Sequence, residues 1–148
     1  MGLPEAVLRT SGITSAPQGL RQLVEGFGAM PVLFAGFSFG SNVGLRACCG
    51  DERVKGMVAL GLPVQAAGRD YHYSFLSACA GPKLFISGNN DEFGPQAAVE
   101  AAVAGAAPPA TLVMIPGADH FFAGKLEQMQ QALTAWLEAN FLSPELAK

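Results

Sequence analysis

Charge is scarce in this 148-residue chain: Asp, Glu, Lys and Arg make up 14% of it, and the net charge is −3 at neutral pH. No basic block is present to follow a phosphate backbone, so nucleic acid is not an expected partner. Histidine occurs twice and tryptophan once, and the cysteines number three: Cys48, Cys49 and Cys79. No C-x-x-C spacing occurs, so no metal site is expected, and neighbouring Cys48 and Cys49 are poorly placed to pair with each other. Reduced, buried thiols in a cytoplasmic protein are the expectation. Neither G-x-G-x-x-G nor G-x-x-x-x-G-K-[ST] is found, which removes two glycine-loop routes to nucleotide binding. The amino end lacks the basic-then-apolar layout of a signal peptide, and Ala6 stands where a myristoylation signal wants Ser or Thr.

The longest stretch without charge is Gly26 to Leu45, 20 residues. It holds five glycines, Pro31, Ser38, Ser41 and Asn42. A lipid-spanning helix of that length is predominantly apolar, so this run reads as a buried strand, a turn and a helix, with no membrane partner.

What the chain has in quantity is apolar side chains, 50% of the total, which excludes intrinsic disorder. Its length is that of one domain, here residues 1–148, with the 142–148 tail expected to fray and 1–30 hard to assign. Four short runs read as strands: Pro31–Gly36, Val54–Leu62, Lys83–Gly88 and Thr111–Ile115. They are continuously apolar rather than alternating, as in strands covered on both faces. Between them lie helix candidates at Phe39–Cys48, stopped by Gly50, and at Pro95–Ala104. A weaker one spans Gln18–Phe27. The last, about Gly124–Phe141, places Leu126, Met129, Leu133, Trp136, Leu137 and Phe141 on one face. Alternating strands and helices predict an α/β fold: a mostly parallel sheet of about four to five strands with helices on both faces.

The first strand runs into Gly36-Phe37-Ser38-Phe39-Gly40, a G-x-S-x-G pentapeptide between strand and helix. The turn is so sharp that glycine is expected at both flanks, Gly36 and Gly40. The serine is driven into a strained backbone that lifts its hydroxyl into the cleft at the strand's C-terminal end. The helix beginning there offers backbone N–H groups to an oxyanion.

A nucleophilic serine needs a base, and the base needs an orienting acid. His120 follows the fourth strand directly, at the same end of a parallel sheet as Ser38. His72 lies in a long segment after the second strand and reads as a surface or rim histidine. Asp91 follows the third strand; a helix-capping aspartate before Pro95 is its other reading. Glu92 is next door and would point differently, while Asp119 is too close in sequence to orient His120. The order is therefore Ser38, Asp91, His120, with gaps of 53 and 29 residues. Phe37, Phe39, Phe93, Phe121 and Phe122 suggest an apolar cleft rim, with core packing as the competing reading for each.

In Leu33 to Gly40, Gly61-Leu62-Pro63-Val64, Tyr73-Ser74-Phe75-Leu76, Pro82 to Pro95 and Gly117 to Phe122, the chain resembles an α/β-hydrolase. More narrowly it is similar to small bacterial hydrolases related to dienelactone hydrolases, over about residues 31–141. The resemblance implies Ser38 as nucleophile, His120 as general base, Asp91 as its orienter and the Phe39 N–H as one oxyanion donor, with no metal and no cofactor. Dienelactone hydrolases proper carry a cysteine nucleophile; Ser38 in that place argues against carrying over their substrate.

The family fold has strands ahead of the elbow strand, one of which bears the loop of the second oxyanion donor. Only 30 residues precede Pro31, so the sequence reads as roughly the C-terminal two-thirds of such a fold, with Ala6-Val7-Leu8-Arg9 as a remnant of one earlier strand. Two functions are expected from it: a serine hydrolase acting on a small acyl substrate, or a non-catalytic hydrolase-like domain acting through an unpaired sheet edge. An acyltransferase using the same serine is a third. The unpaired elbow strand also predicts a homodimer.

Overall fold

The four apolar runs become the four strands of one parallel sheet in the computed structural model, which describes residues 16–142. The elements in chain order are α1 (Ala16–Gly26), β1 (Val32–Phe37), α2 (Phe39–Cys48), β2 (Val54–Leu60), the hairpin strands β3 (Gln65–Ala66) and β4 (Arg69–Asp70), β5 (Lys83–Gly88), α3 (Gln96–Ala104), β6 (Ala110–Ile115) and α4 (Leu126–Leu137). Single turns at Ser74–Ala78 and Glu138–Leu142 complete them. The sheet order is β1-β2-β5-β6, every pairing parallel, so all four C-terminal ends share one edge of the domain. The segments Ala6–Arg9 and Ser143–Lys148 lie outside the described residues.

Side-chain alternation along the strands builds two cores. Met57 and Ala59 of β2 and Phe85 of β5 pack with Leu45 of α2 and Val99 and Val103 of α3. The residues between them, Val58, Leu84 and Ile86, pack on the opposite face with Ile115, Phe122 and Trp136 of α4. Complete burial of a side chain the size of Phe85 contributes about 2–3 kcal/mol. The strands are thus continuously apolar because helices lie on both faces.

β1 departs from that expectation. Its burial alternates, with Leu33 and Phe37 exposed at 44% and 41%. The α2 side of β1 is covered, whereas α4 lies over β2, β5 and β6 and leaves the other face of β1 open among the described residues. β1 is also an edge strand of the described sheet. Leu126 differs too: it opens α4 at its first residue and is exposed rather than joining the apolar face.

The cysteines also differ from the all-reduced expectation. Cys49 caps the C-terminus of α2 and Cys79 follows the turn at Ser74–Ala78; the excursion between β2 and β5 folds back on α2 and brings their Cα atoms to 5.1 Å, where they form a disulfide. Cys48 is a free buried thiol, pushed up to about 11 chiefly by its burial. Gly50, at φ +81, ends α2 as its position predicts.

α2 lies on β1 without a gap because Gly44 has no side chain: a Cβ there would fall within the Phe34 ring. Glycine inside a helix costs about 1 kcal/mol relative to alanine, a cost accepted here for close packing. Gly44→Val should therefore destabilise despite its gain in helix propensity, by about 1–3 kcal/mol from overpacking. Thermal unfolding followed by circular dichroism checks this; an unchanged or raised Tm would show that α2 can lift from β1 at no cost.

Candidate active site

Ser38 occupies the single residue between β1 and α2, with φ 53 and ψ −127. That left-handed backbone costs a non-glycine residue about 1–3 kcal/mol. Neighbouring bonds hold it. The Ser38 N–H donates to the Leu60 carbonyl at 2.9 Å, which ties the turn to β2. The Ser38 carbonyl accepts from the Ser41 N–H at 2.9 Å and the Ser41 hydroxyl at 2.6 Å, which ties it to the first turn of α2. A Cβ on Gly36 would sit 2.8 Å from the Gly40 carbonyl oxygen, so glycine is required at 36. The expectation for Gly40 is corrected: a Cβ there meets nothing within 4 Å. It is the Gly40 backbone, not a side chain, that crowds the turn.

The loop after β5 presents Asp91. One carboxylate oxygen, Oδ1, accepts from the Phe93 N–H at 2.8 Å and the Gly94 N–H at 3.2 Å. The other, Oδ2, lies 2.8 Å from His120 Nδ1. His120 follows β6, and its Nε2 lies 2.8 Å from Ser38 Oγ. The structure thus brings Ser38, His120 and Asp91 into one unbroken chain, with His120 5% and Asp91 3% exposed. When Asp91 is ionised it can only accept, so the Nδ1–H donates to it, and in the neutral ring Nε2 then turns its lone pair to the serine hydroxyl. Phe39 is the first residue of α2, where a backbone N–H has no acceptor within the helix. It is available to an oxyanion beside Ser38.

Three aromatic rings enclose the imidazole: Phe93 at 4.7 Å, Phe37 at 5.1 Å and Phe121 at 5.2 Å between centroids. Together they bury the imidazole, although Phe37 and Phe121 are themselves exposed on their outer sides. Phe122, in contrast, is buried at 2% in the α4-side core and does not belong to the rim; its φ of 55 turns it inward. His72 is exposed and contributes its carbonyl to Arg46, 2.7 Å away, with no tie to the site. Asp119 is likewise separate: its Oδ1 accepts from the Phe121 and Ala123 N–H groups and shapes the loop that presents His120.

Two glycines complete the site without having stood out in the sequence. Gly61 holds φ +58, a backbone that side chains rarely adopt, and a Cβ there would be tight against Phe37 at 3.2 Å and in contact with the His120 ring at 3.4 Å. A Cβ on Gly88 would fall on the Ala118 carbonyl, which the Asn90 N–H bonds at 3.0 Å. That contact docks the histidine loop against the acid loop. Among the described residues, no three His, Cys, Asp or Glu side chains gather as a metal site would need.

A parallel sheet with a strained serine at the end of one strand and an acid and a histidine at the ends of two others is a hydrolase arrangement. A family model described as an alpha/beta hydrolase domain matches residues 14–141. The chain belongs to the α/β-hydrolase family. The curated relative it matches, an uncharacterized protein of Rickettsia prowazekii, is 28% identical over 110 residues, 71% of this chain and 46% of that protein. A solved α/β serine hydrolase homologue from Coxiella burnetii is 27% identical with TM-score 0.67, covering 90% of this hydrolase chain and 64% of its own. A lidless α/β serine hydrolase from Xanthomonas campestris is 29% identical with TM-score 0.69, covering 83% and 56%. The hydrolase chain thus spans only part of each of these relatives, from 46% to 64% of their length, and the fold it shows is the C-terminal part. No helix among its described residues is long and apolar enough to cross a membrane.

Proposed function

We propose that this α/β-hydrolase cleaves a small carboxylic ester through an acyl-enzyme on Ser38, without metal or organic cofactor. The observation that carries the reading is the unbroken Asp91–His120–Ser38 chain, 2.8 Å at each link, ending on a serine in a strained backbone. His120 Nε2 takes the hydroxyl proton as Ser38 Oγ adds to the ester carbonyl. The oxyanion of the tetrahedral adduct receives the Phe39 N–H. His120 then returns the proton to the departing alcohol, leaving the acyl group on Ser38. Water repeats the sequence and releases the acid. An acyltransferase differs only in the acceptor of that second half. Mixing with p-nitrophenyl acetate tests the reading: a burst of nitrophenolate equal to the enzyme present, with acetyl trapped on the Ser38 peptide by acid quench, is expected. Ester turnover that continues at the wild-type rate in Ser38→Ala would refute it.

A second reading, a hydrolase-like domain acting through its sheet edge, is favoured by the exposure of Leu33 and Phe37 on β1. β1 carries no charge and no proline from Val32 to Phe37, and such an edge pairs readily with a second copy of itself. A homodimer is expected by light scattering, and Leu33→Lys should shift it toward monomer. A wild-type chain that is monomeric at every concentration would remove this reading.

A further inference from the structure

Between β2 and β5 the chain makes an excursion whose first part is the β3–β4 hairpin. One leg is fastened to the acid loop. The Val64 and Gln65 N–H groups donate to the Phe93 carbonyl at 2.7 and 2.9 Å, and Gln65 Nε2 donates to the Glu92 carbonyl at 2.8 Å. The other leg is fastened to α2, where Arg46 holds the His72 carbonyl at 2.7 Å. Between these anchors Arg69 lays its guanidinium over the Phe39 ring, 4.8 Å from the centroid. Phe39 is the residue next to Ser38.

An exposed arginine is ordinarily a solvated surface charge. Arg69 is set apart by three facts. Its hairpin is tied at both ends to elements of the site. Its guanidinium is stacked, which orients the planar fork and leaves N–H groups at its edge free to bond. It also has no carboxylate partner: the ion pairs among the described residues are Arg53–Asp51 and His120–Asp91. The rings around His120 are phenylalanines, and Arg69 is a cation with no carboxylate in salt-bridge contact among the described residues.

Resting on the proposed hydrolase reading, we infer that Arg69 is a specificity-determining residue that selects esters bearing a carboxylate, such as short dicarboxylic hemiesters, over neutral esters of like length. The fork of the guanidinium matches a carboxylate with two N–H donors, while the stack fixes it on Phe39, the residue that follows the nucleophile in sequence. Orientation of the acyl chain follows: its charged end lies toward β4 and its carbonyl at Ser38.

The test compares kcat/KM for mono-4-nitrophenyl succinate and 4-nitrophenyl pentanoate in the wild type, Arg69→Gln and Arg69→Glu. The ratio of charged to neutral ester should fall by about five- to tenfold in Arg69→Gln and further in Arg69→Glu. A parallel arm measures how far succinate, against butyrate, slows fluorophosphonate labelling of Ser38; succinate should protect the wild type better and lose that advantage in Arg69→Glu. Ser38 labelled in all three proteins with neither the ratio nor the protection responding to Arg69 overturns the inference and leaves the hydrolase reading standing. A Ser38 that takes no fluorophosphonate in the wild type overturns both.

Discussion

Ser38→Ala should abolish covalent labelling by a fluorophosphonate and lower ester hydrolysis by about 10⁴–10⁶-fold, the scale on which removal of a triad nucleophile acts. The expectation is specific to this hydroxyl. Ser41 is fully buried and spends its hydroxyl on the Ser38 carbonyl at 2.6 Å. Ser74 is exposed in the turn at Ser74–Ala78, with no histidine bonded to it among the described residues. Among the described residues, only Ser38 has a histidine nitrogen bonded to its hydroxyl, 2.8 Å away. Alanine is strained at φ 53 as serine is, and removing the hydroxyl leaves the Ser38 backbone bonds to Leu60 and Ser41 unaltered. Tm should therefore change little while activity disappears. Intact-mass measurement after labelling, with peptide mapping, reads the result. Labelling that persists unchanged in Ser38→Ala would place the nucleophile elsewhere.

The elements that were legible in the sequence are those with local signals. Phe39–Cys48 and Lys83–Gly88 appear with the bounds read for them, because a glycine stop and a continuous apolar run are short-range features. The convergence of Ser38, Asp91 and His120 was legible for a topological reason: each follows a strand, and parallel strands bring their C-terminal ends to one edge. What escaped is non-local. The β3–β4 strands are two residues each, too short to show a period, and β3 is anchored where the Phe93 carbonyl of the acid loop accepts the Val64 and Gln65 N–H groups. Arg69 meets Phe39 across 30 residues, and Cys49 meets Cys79 across 30 more. The open face of β1 was hidden as well: an apolar run states that a strand is fit to be covered, not which helix covers it. Gly40 failed for the opposite reason. A motif position was read as a steric requirement, whereas the crowding there comes from its own carbonyl against Gly36.

Asp91→Asn is expected to cost about 10⁴ in kcat with little loss of stability, because it changes a proton's position and hardly anything else. In the native site Oδ1 accepts two backbone N–H bonds, from Phe93 and Gly94, so an asparagine carbonyl oxygen is held in that place. Its amide nitrogen then faces His120 Nδ1 at the 2.8 Å contact and donates to it. The imidazole proton moves to Nε2, which now points a donor at Ser38 Oγ and can no longer take its proton. His120→Ala should be as damaging to turnover but less informative, since it also empties the space between Phe37, Phe93 and Phe121. His72→Ala supplies the control: that side chain is exposed and outside the site, and most activity should remain. Steady-state kinetics with p-nitrophenyl acetate, paired with thermal unfolding of each variant, separates the roles. If Asp91→Asn keeps its activity within tenfold at unchanged Tm, the carboxylate caps its own loop and does not orient the base. If His72→Ala is the variant that loses turnover, the proton passes through the other histidine.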